Sequence, residues 1–290
     1  MISPTTEVAE MSNYERGAKF NSDLACERGR ARITEGVIFT KESATIGEWE
    51  RITVTTSEGE RSIGRPRGTY DTLHLPPLSE MDTIDIEDAI EEVSEELVKI
   101  CREKRISPTR VLVVGLGNKN LTPDSVGPKS ADGINPTMHI ARKDKDMFDE
   151  LKCSEIAVVS PGVKNSNGID TPDLVAGLAE RICPTLVIAI DSLAARSPKR
   201  LGSTIQFSDT GIHPGSGVGF HDKGIDEDLM GAPVIAIGVP TVIDSKLMVE
   251  GDGGGLTTNM HVCPKEIDIT TDVAAKIISG GINQAFGLIY

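Results

Sequence analysis

The chain has 290 residues with 30 basic and 44 acidic side chains, a formal charge of −14 and 3% aromatic residues. That balance argues against gripping nucleic acid by phosphate neutralisation or base stacking, and a basic partner would suit it better. No run of ~18 apolar residues is present to span a bilayer, and Met1-Ile2-Ser3-Pro4-Thr5-Thr6-Glu7 lacks the charged-then-apolar order of a signal peptide, so a cytoplasmic protein with no membrane contact is expected.

Residues 1–35 mix charged and polar positions without a strong period and read as a detachable segment. From Gly36 to Leu75 the pattern turns to β. Gly36-Val37-Ile38-Phe39 is a short apolar run, and Glu50 to Thr56 alternates before Ser57-Glu58-Gly59, which predicts a hairpin or small antiparallel layer. Asp85 is expected to cap a helix that carries Ile86, Ile90, Val93, Leu97, Ile100 and Cys101 on one face and acidic residues on the other.

After Ser107-Pro108 come five apolar runs, at Arg110 to Leu116, Glu155 to Val159, Thr185 to Ile190, Thr204 to Phe207 and Pro233 to Val239. Uninterrupted Val/Ile/Leu/Ala runs imply strands covered on both faces, so the expected class is α/β, with a mixed, largely parallel central sheet flanked by helices. Asp173 to Ile182 and Thr271 to Leu288 carry the helical period, and Gly280-Gly281 either kinks the second or lets it pack closely. Gly251-Asp252-Gly253-Gly254-Gly255 has the composition of a flexible surface excursion.

The five cysteines, Cys26, Cys101, Cys153, Cys183 and Cys263, are odd in number and form no CxxC pair, so reduced thiols are expected. His139, His213, His221 and His261 lack HxxxH or HExxH spacing, and no metal or cofactor is expected.

Two aspartates stand out. Asp124 follows Thr122-Pro123, which fits a helix start with threonine as cap and proline in the first turn. Asp191 closes the apolar run Leu186 to Ile190, where a charge must find a partner or shift its pKa. Asp209 and Asp244 follow strands in the same way. In open α/β sheets the working crevice lies outside the carboxyl ends of the strands, so carboxylates after two strands can meet one substrate. If they approach closely, the pair shares one proton near neutral pH and can activate water. The alternative is that both merely cap neighbouring helices.

Gly115-Leu116-Gly117-Asn118 lacks the third glycine of a dinucleotide fingerprint and reads as a tight turn toward the Asp124 loop. Asp209 to Gly219 is glycine-rich without a Gly-Lys-Ser/Thr ending, and reads as a mobile substrate loop supported by Asp209, His213, Gly215 and Gly217. His213 either orients a carboxylate there or is an ordinary hydrogen-bonded loop residue.

Four runs together resemble the spore germination protease family: Val113 to Asn118, Leu121 to Pro128, Ile188 to Ser197 and Gly211 to Gly219. The resemblance extends from about Asp23 to the last helix. It implies an endopeptidase, usually a homotetramer, that degrades small acid-soluble spore proteins at germination and resides in the developing spore and spore core. The two aspartates proposed as catalytic in that family fall on Asp124 and Asp191. The family is made as a zymogen that trims itself at an acidic residue followed by an apolar one and then Ala-x-Glu. Ser22-Asp23-Leu24-Ala25-Cys26-Glu27 has that form, so cleavage between Asp23 and Leu24 is expected.

The implied organisation is a propeptide at 1–23, an N-terminal segment with a small antiparallel β appendage at 24–80 and an α/β catalytic domain at 81–290. The chain departs from the family pattern in a shorter stretch between Val242 and Met260, at Val163 to Thr171, and at Phe220-His221-Asp222. Two other readings compete: an endopeptidase of the hydrogenase-maturation type that senses a metal in its substrate, and a non-catalytic module that holds basic or extended peptides in an acidic cleft.

Overall fold

The computed structural model describes residues 22–29, 35–213, 223–245 and 260–287. Nine strands among these form one sheet: β1 Val37–Ser43, β2 Glu48–Val54, β3 Gly68–His74, β4 Arg110–Gly115, β5 Glu155–Val159, β6 Leu186–Ala195, β7 Thr204–Ser208, β8 Val234–Asp244 and β9 His261–Val262. The order is β1-β2-β3-β7-β8-β6-β4-β5, with β9 on the end of β8. Strands β8, β6, β4 and β5 run parallel, whereas β7, β3, β2 and β1 add antiparallel pairs. The antiparallel layer expected near the N-terminus is therefore present, and β3 joins it to the central sheet through β7.

The helices are α1 Cys26–Gly29, α2 Ser57–Ile63, α3 Thr83–Glu103, α4 Val126–Asp132, α5 Met138–Lys143, α6 Lys145–Leu151, α7 Lys164–Asn167, α8 Thr171–Ile182, α9 Glu227–Met230 and α10 Ile267–Phe286. Alternate residues of the central strands feed opposite cores, as pleating requires. On one face Val111, Val113, Ile188 and Ile190 pack with Val93 and Leu97 of α3 and Ile278 and Ile282 of α10. On the other, Leu112, Val114, Val187 and Ala189 pack with Val175 and Ala179 of α8.

Helix α3 starts one turn before the position expected. Asp82 is its cap, accepting from the Ile84 and Asp85 N–H groups, while Asp85 answers from the third position by accepting from the Asp82 N–H. Its acidic face is not wholly solvated either. Glu92 accepts from Thr45 N–H and from Trp49 Nε1, and Glu96 accepts from Arg51, which also pairs with Asp71 at 2.9 Å. Helix α10 packs closely against α3 at its two glycines: a Cβ at Gly281 would lie 2.3 Å from Val93 Cγ1.

The reading of 1–35 as one loose stretch is corrected at Leu24 to Cys26, which pack into the fold. Leu24, Ala25 and Cys26 are fully buried with Ile52, Val54, Tyr70, Leu193 and Ala195. Burying a leucine side chain contributes ~1.5–3 kcal/mol. No helical or strand period marks the segment because its partners are distant: Ala194, Gln206, Arg196 and Ser197.

Candidate functional site

Strand β4 ends at Gly115, where its pairing with β6 stops at Ile190. Strand β8 continues beside β6, so β6 extends to Ala195. Asp191 is thus inside a longer strand and does not close it, a correction to its expected position. Its neighbours on the same face are Val187 and Ala189 under α8 and Leu193 and Ala195 under the Leu24 segment. Between these two covers lies a cavity of about 810 Å³, lined by Asp191 together with Asp124, Asp23, Arg65, Tyr70 and Gln206. That volume is within the ordinary range of ligand-binding clefts, ~300–1,000 Å³.

Asp124 reaches the cavity from a 3₁₀ turn, Thr122–Asp124, which precedes α4. Thr122 is the first residue of that turn and Leu121 stands at its cap, so the expected threonine cap does not form. Gly117 lets the turn approach β4: its φ is +110°, and a Cβ would sit 2.2 Å from the Asp124 carbonyl oxygen. Asn118 N–H donates to Asp124 Oδ2 at 2.9 Å, and Thr241 Oγ1 of β8 donates to the Pro123 carbonyl at 2.6 Å. The turn is therefore fixed from both sides.

Asp191 is 5% exposed and accepts from the Ser192 N–H at 2.8 Å. Burial raises its pKa well above the ordinary carboxylate range, and the charges of Asp124 and then Asp23 push the same way, against the Ser192 N–H. Asp124 is also raised by burial, opposed by the Asn118 N–H. Both carboxyls are therefore pushed toward the protonated form, and titration belongs to the pair rather than to either residue. The two expected residues thus share one void, with their proton affinities pushed up together.

The Asp23 backbone N–H donates to the Ala194 carbonyl at 3.0 Å, and Ala194 N–H donates to Asp23 Oδ2 at 2.9 Å. Arg65 donates to the Ser22 carbonyl at 2.7 Å and lies 3.9 Å from Asp23 Oδ1. Glu27 accepts from the N–H groups of Arg196 and Ser197, at 2.7 and 2.8 Å, and from the Ser22 hydroxyl. These residues tie the Asp23-Leu24 bond to the strand that bears Asp191.

The other nominated residues divide. His213 lines the cavity. Asp209 does not; it accepts from Thr69 N–H at 2.8 Å, which joins β3 to the end of β7, and pairs with Lys104 at the end of α3. Asp244 ends β8 opposite His261. Gly215 and Gly217 lie outside the described residues, as do Phe220-His221-Asp222 and most of the stretch between Val242 and Met260. Gln206 and Arg65 were missed from sequence, although a glutamine inside the apolar run Thr204 to Phe207 was the available sign.

Among the described residues one mixed group of metal-type donors occurs, Cys26, Glu50 and His74, whose ligand atoms lie within 4.8 Å of one another. Arg200 sits against His74 and 3.9 Å from Glu50, so a guanidinium already supplies positive charge there. Among the same residues no helix is long and apolar enough to cross a membrane.

The germination protease family pattern matches residues 18–253. A germination protease of Clostridium acetobutylicum is 35% identical over 301 residues, covering 91% of this chain and 91% of that protein. One from Oceanobacillus iheyensis is 42% identical over 189 residues, covering 65% of this chain and 51% of that protein. A solved [NiFe] hydrogenase maturation protease, HycI from Thermococcus kodakarensis, aligns over 65% of this chain and 99% of its own, at 17% identity and a TM-score of 0.38. With a family match across most of its length and relatives of this similarity, the chain belongs to the germination protease family, and it is a protease.

Proposed function

We propose that this chain is the precursor of an endopeptidase that uses Asp124 and Asp191 to activate water, and that it trims itself between Asp23 and Leu24. The observation that carries the reading is the lodging of Asp23 in the cavity of the two aspartates, near enough for its charge to raise the Asp191 pKa. Ionised Asp124 takes a proton from water as the water oxygen bonds to the Asp23 carbonyl carbon. Protonated Asp191 then gives its proton to the Leu24 nitrogen as the C–N bond breaks, leaving an Asp23 carboxyl and a Leu24 amine. Each positioned group contributes on the order of 10²–10⁴-fold.

In trans the substrates would be small acid-soluble spore proteins, cut after Glu or Asp and before an apolar residue, by a homotetramer in the spore core. The family membership and the match of Ser22 to Glu27 to an acidic-apolar-Ala-x-Glu pattern support this. The test is to purify the full-length chain with Asp124→Asn and Asp191→Asn separately, incubate each at mildly acidic pH and sequence the new N-terminus. Each variant should stay intact at Met1 and leave spore proteins uncut. Near-normal trimming by either one removes that aspartate from the mechanism.

A further inference from the structure

Gln206 bridges the bond that the proposed self-cleavage would break. Its Nε2 donates to the Asp23 carbonyl oxygen at 3.1 Å, and its Oε1 accepts from the Ala25 N–H at 2.7 Å. The second contact fixes the amide orientation, since only the oxygen can face an N–H donor. The nitrogen is thereby aimed at the oxygen of the Asp23-Leu24 peptide. Gln206 is 8% exposed and lines the same cavity as Asp124 and Asp191.

The sheet register places it opposite the aspartate. Gln206 pairs with Gly238 of β8, and Gly238 pairs with Asp191 of β6. Register partners project to one face, so Gln206 and Asp191 stand on the same side of the sheet, two strand spacings or about 10 Å apart across it. The residue between them has no side chain, and a Cβ there would lie 2.4 Å from Leu193 Cδ1. The Leu193 side chain fills the space over that glycine, between Gln206 and Asp191.

We infer that Gln206 is a further catalytic residue, the donor that stabilises the negative charge developing on the carbonyl oxygen as water adds to the carbon. The inference rests on the proposed self-cleavage at Asp23-Leu24. When the water oxygen bonds to the Asp23 carbonyl carbon, the carbonyl π electrons move onto oxygen, and the Gln206 N–H is already directed there. When the C–N bond breaks, those electrons re-form the carbonyl and the contact weakens. A preorganised donor of this kind in a partly dry site is worth ~10²–10³-fold in rate.

The test compares full-length chains carrying Gln206→Met, Gln206→Glu and Asp191→Asn, following release of residues 1–23 by mass spectrometry. Gln206→Met removes the donor at similar length and should slow trimming by roughly 10²–10³-fold. Gln206→Glu keeps an acceptor for the Ala25 N–H and replaces the donor by an oxygen. It should therefore lose rate as the new carboxyl ionises and regain it on acidification, an extra ionisation that wild-type trimming lacks. A residue that only holds the segment in place would not add that step to the pH profile.

Trimming by Gln206→Met within threefold of wild type, with Asp191→Asn inert, overturns the role of Gln206 and leaves the aspartate pair standing. Normal trimming by Asp191→Asn with slow Gln206→Met removes the aspartate and keeps the oxyanion donor. If Gln206→Met folds poorly, Gln206→Glu decides alone, and a pH profile parallel to wild type counts against the inference.

Discussion

Asp23 and Ala194 exchange two hydrogen bonds, one through the Asp23 backbone N–H and one through its side-chain Oδ2. A strand partner would return the second bond with a carbonyl oxygen; here a carboxylate does so, and its own carbonyl is left for Gln206. The residue at position 23 must therefore be an acceptor of aspartate length. Asp23→Ala should leave the Ala194 N–H without that partner and slow release of residues 1–23 by at least about tenfold, one lost hydrogen bond to a charged group being worth ~1.5–3 kcal/mol. Asp23→Asn keeps a side-chain oxygen and should fall between the two. Equal rates for all three chains would mean that this contact does not position the bond.

The raised pKa of Asp191 makes the fold sensitive to pH in a definite direction. A carboxyl that is harder to ionise folded than unfolded binds more protons in the native state, so stability falls as pH rises above the ordinary carboxylate pKa. The penalty begins near pH ~4 and grows until Asp191 ionises in the folded protein. Asp191→Asn removes it. The variant should be more stable than the parent at neutral pH, with the difference shrinking toward pH ~4, as read by urea unfolding across that range. Asp71, which burial and Glu96 push up to about 8, contributes the same trend to both proteins and cancels in the difference. Parallel stability curves would show that Asp191 is not strained by burial.

Much of the frame was readable from local pattern because each cue needed only its own segment. The apolar runs from Arg110 to Val239 became strands, and the periods ending at Ile182 and near Leu288 became α8 and α10. What local pattern missed depended on distant neighbours. Local pattern puts Asp191 at the end of its strand, because nothing in Leu186 to Ser192 reveals that β8 runs on beside it. Nothing local marks Leu24 to Cys26 as core, because the strands that bury them follow later in the chain. The two aspartates were found by their place after apolar runs, whereas Gln206 acquires its meaning only from the Gly238 register.

Glu27 gives the segment its second anchor, accepting from two consecutive backbone N–H groups at the end of β6. Removing the acceptor leaves both donors to find water at a partly buried edge. Glu27→Ala should cost ~1–3 kcal/mol and lower the melting temperature by several degrees. Amide exchange at Leu24, Ala25 and Cys26 should quicken more than exchange in the central strands, since this anchor lies beside them. Unchanged protection at those three amides would mean that apolar burial alone holds the segment.

Two glycines in helices allow opposite predictions from one substitution. Gly281 lies where α10 meets α3, and a Cβ there would come within 2.3 Å of Val93 Cγ1 and 2.7 Å of Val93 Cβ. Neither is the end of a flexible chain, so Gly281→Ala must separate the helices or twist Val93, at a cost of ~1–3 kcal/mol. Gly177 sits in α8 on its exposed side, and apart from its own turn of helix no atom lies within 4 Å of an added Cβ. There the substitution only restricts the unfolded chain, and Gly177→Ala should stabilise by ~0.5–1 kcal/mol. Urea unfolding of the two single variants should move their midpoints in opposite directions. A shared direction would show that helix propensity, and not the contact with Val93, sets the response at Gly281.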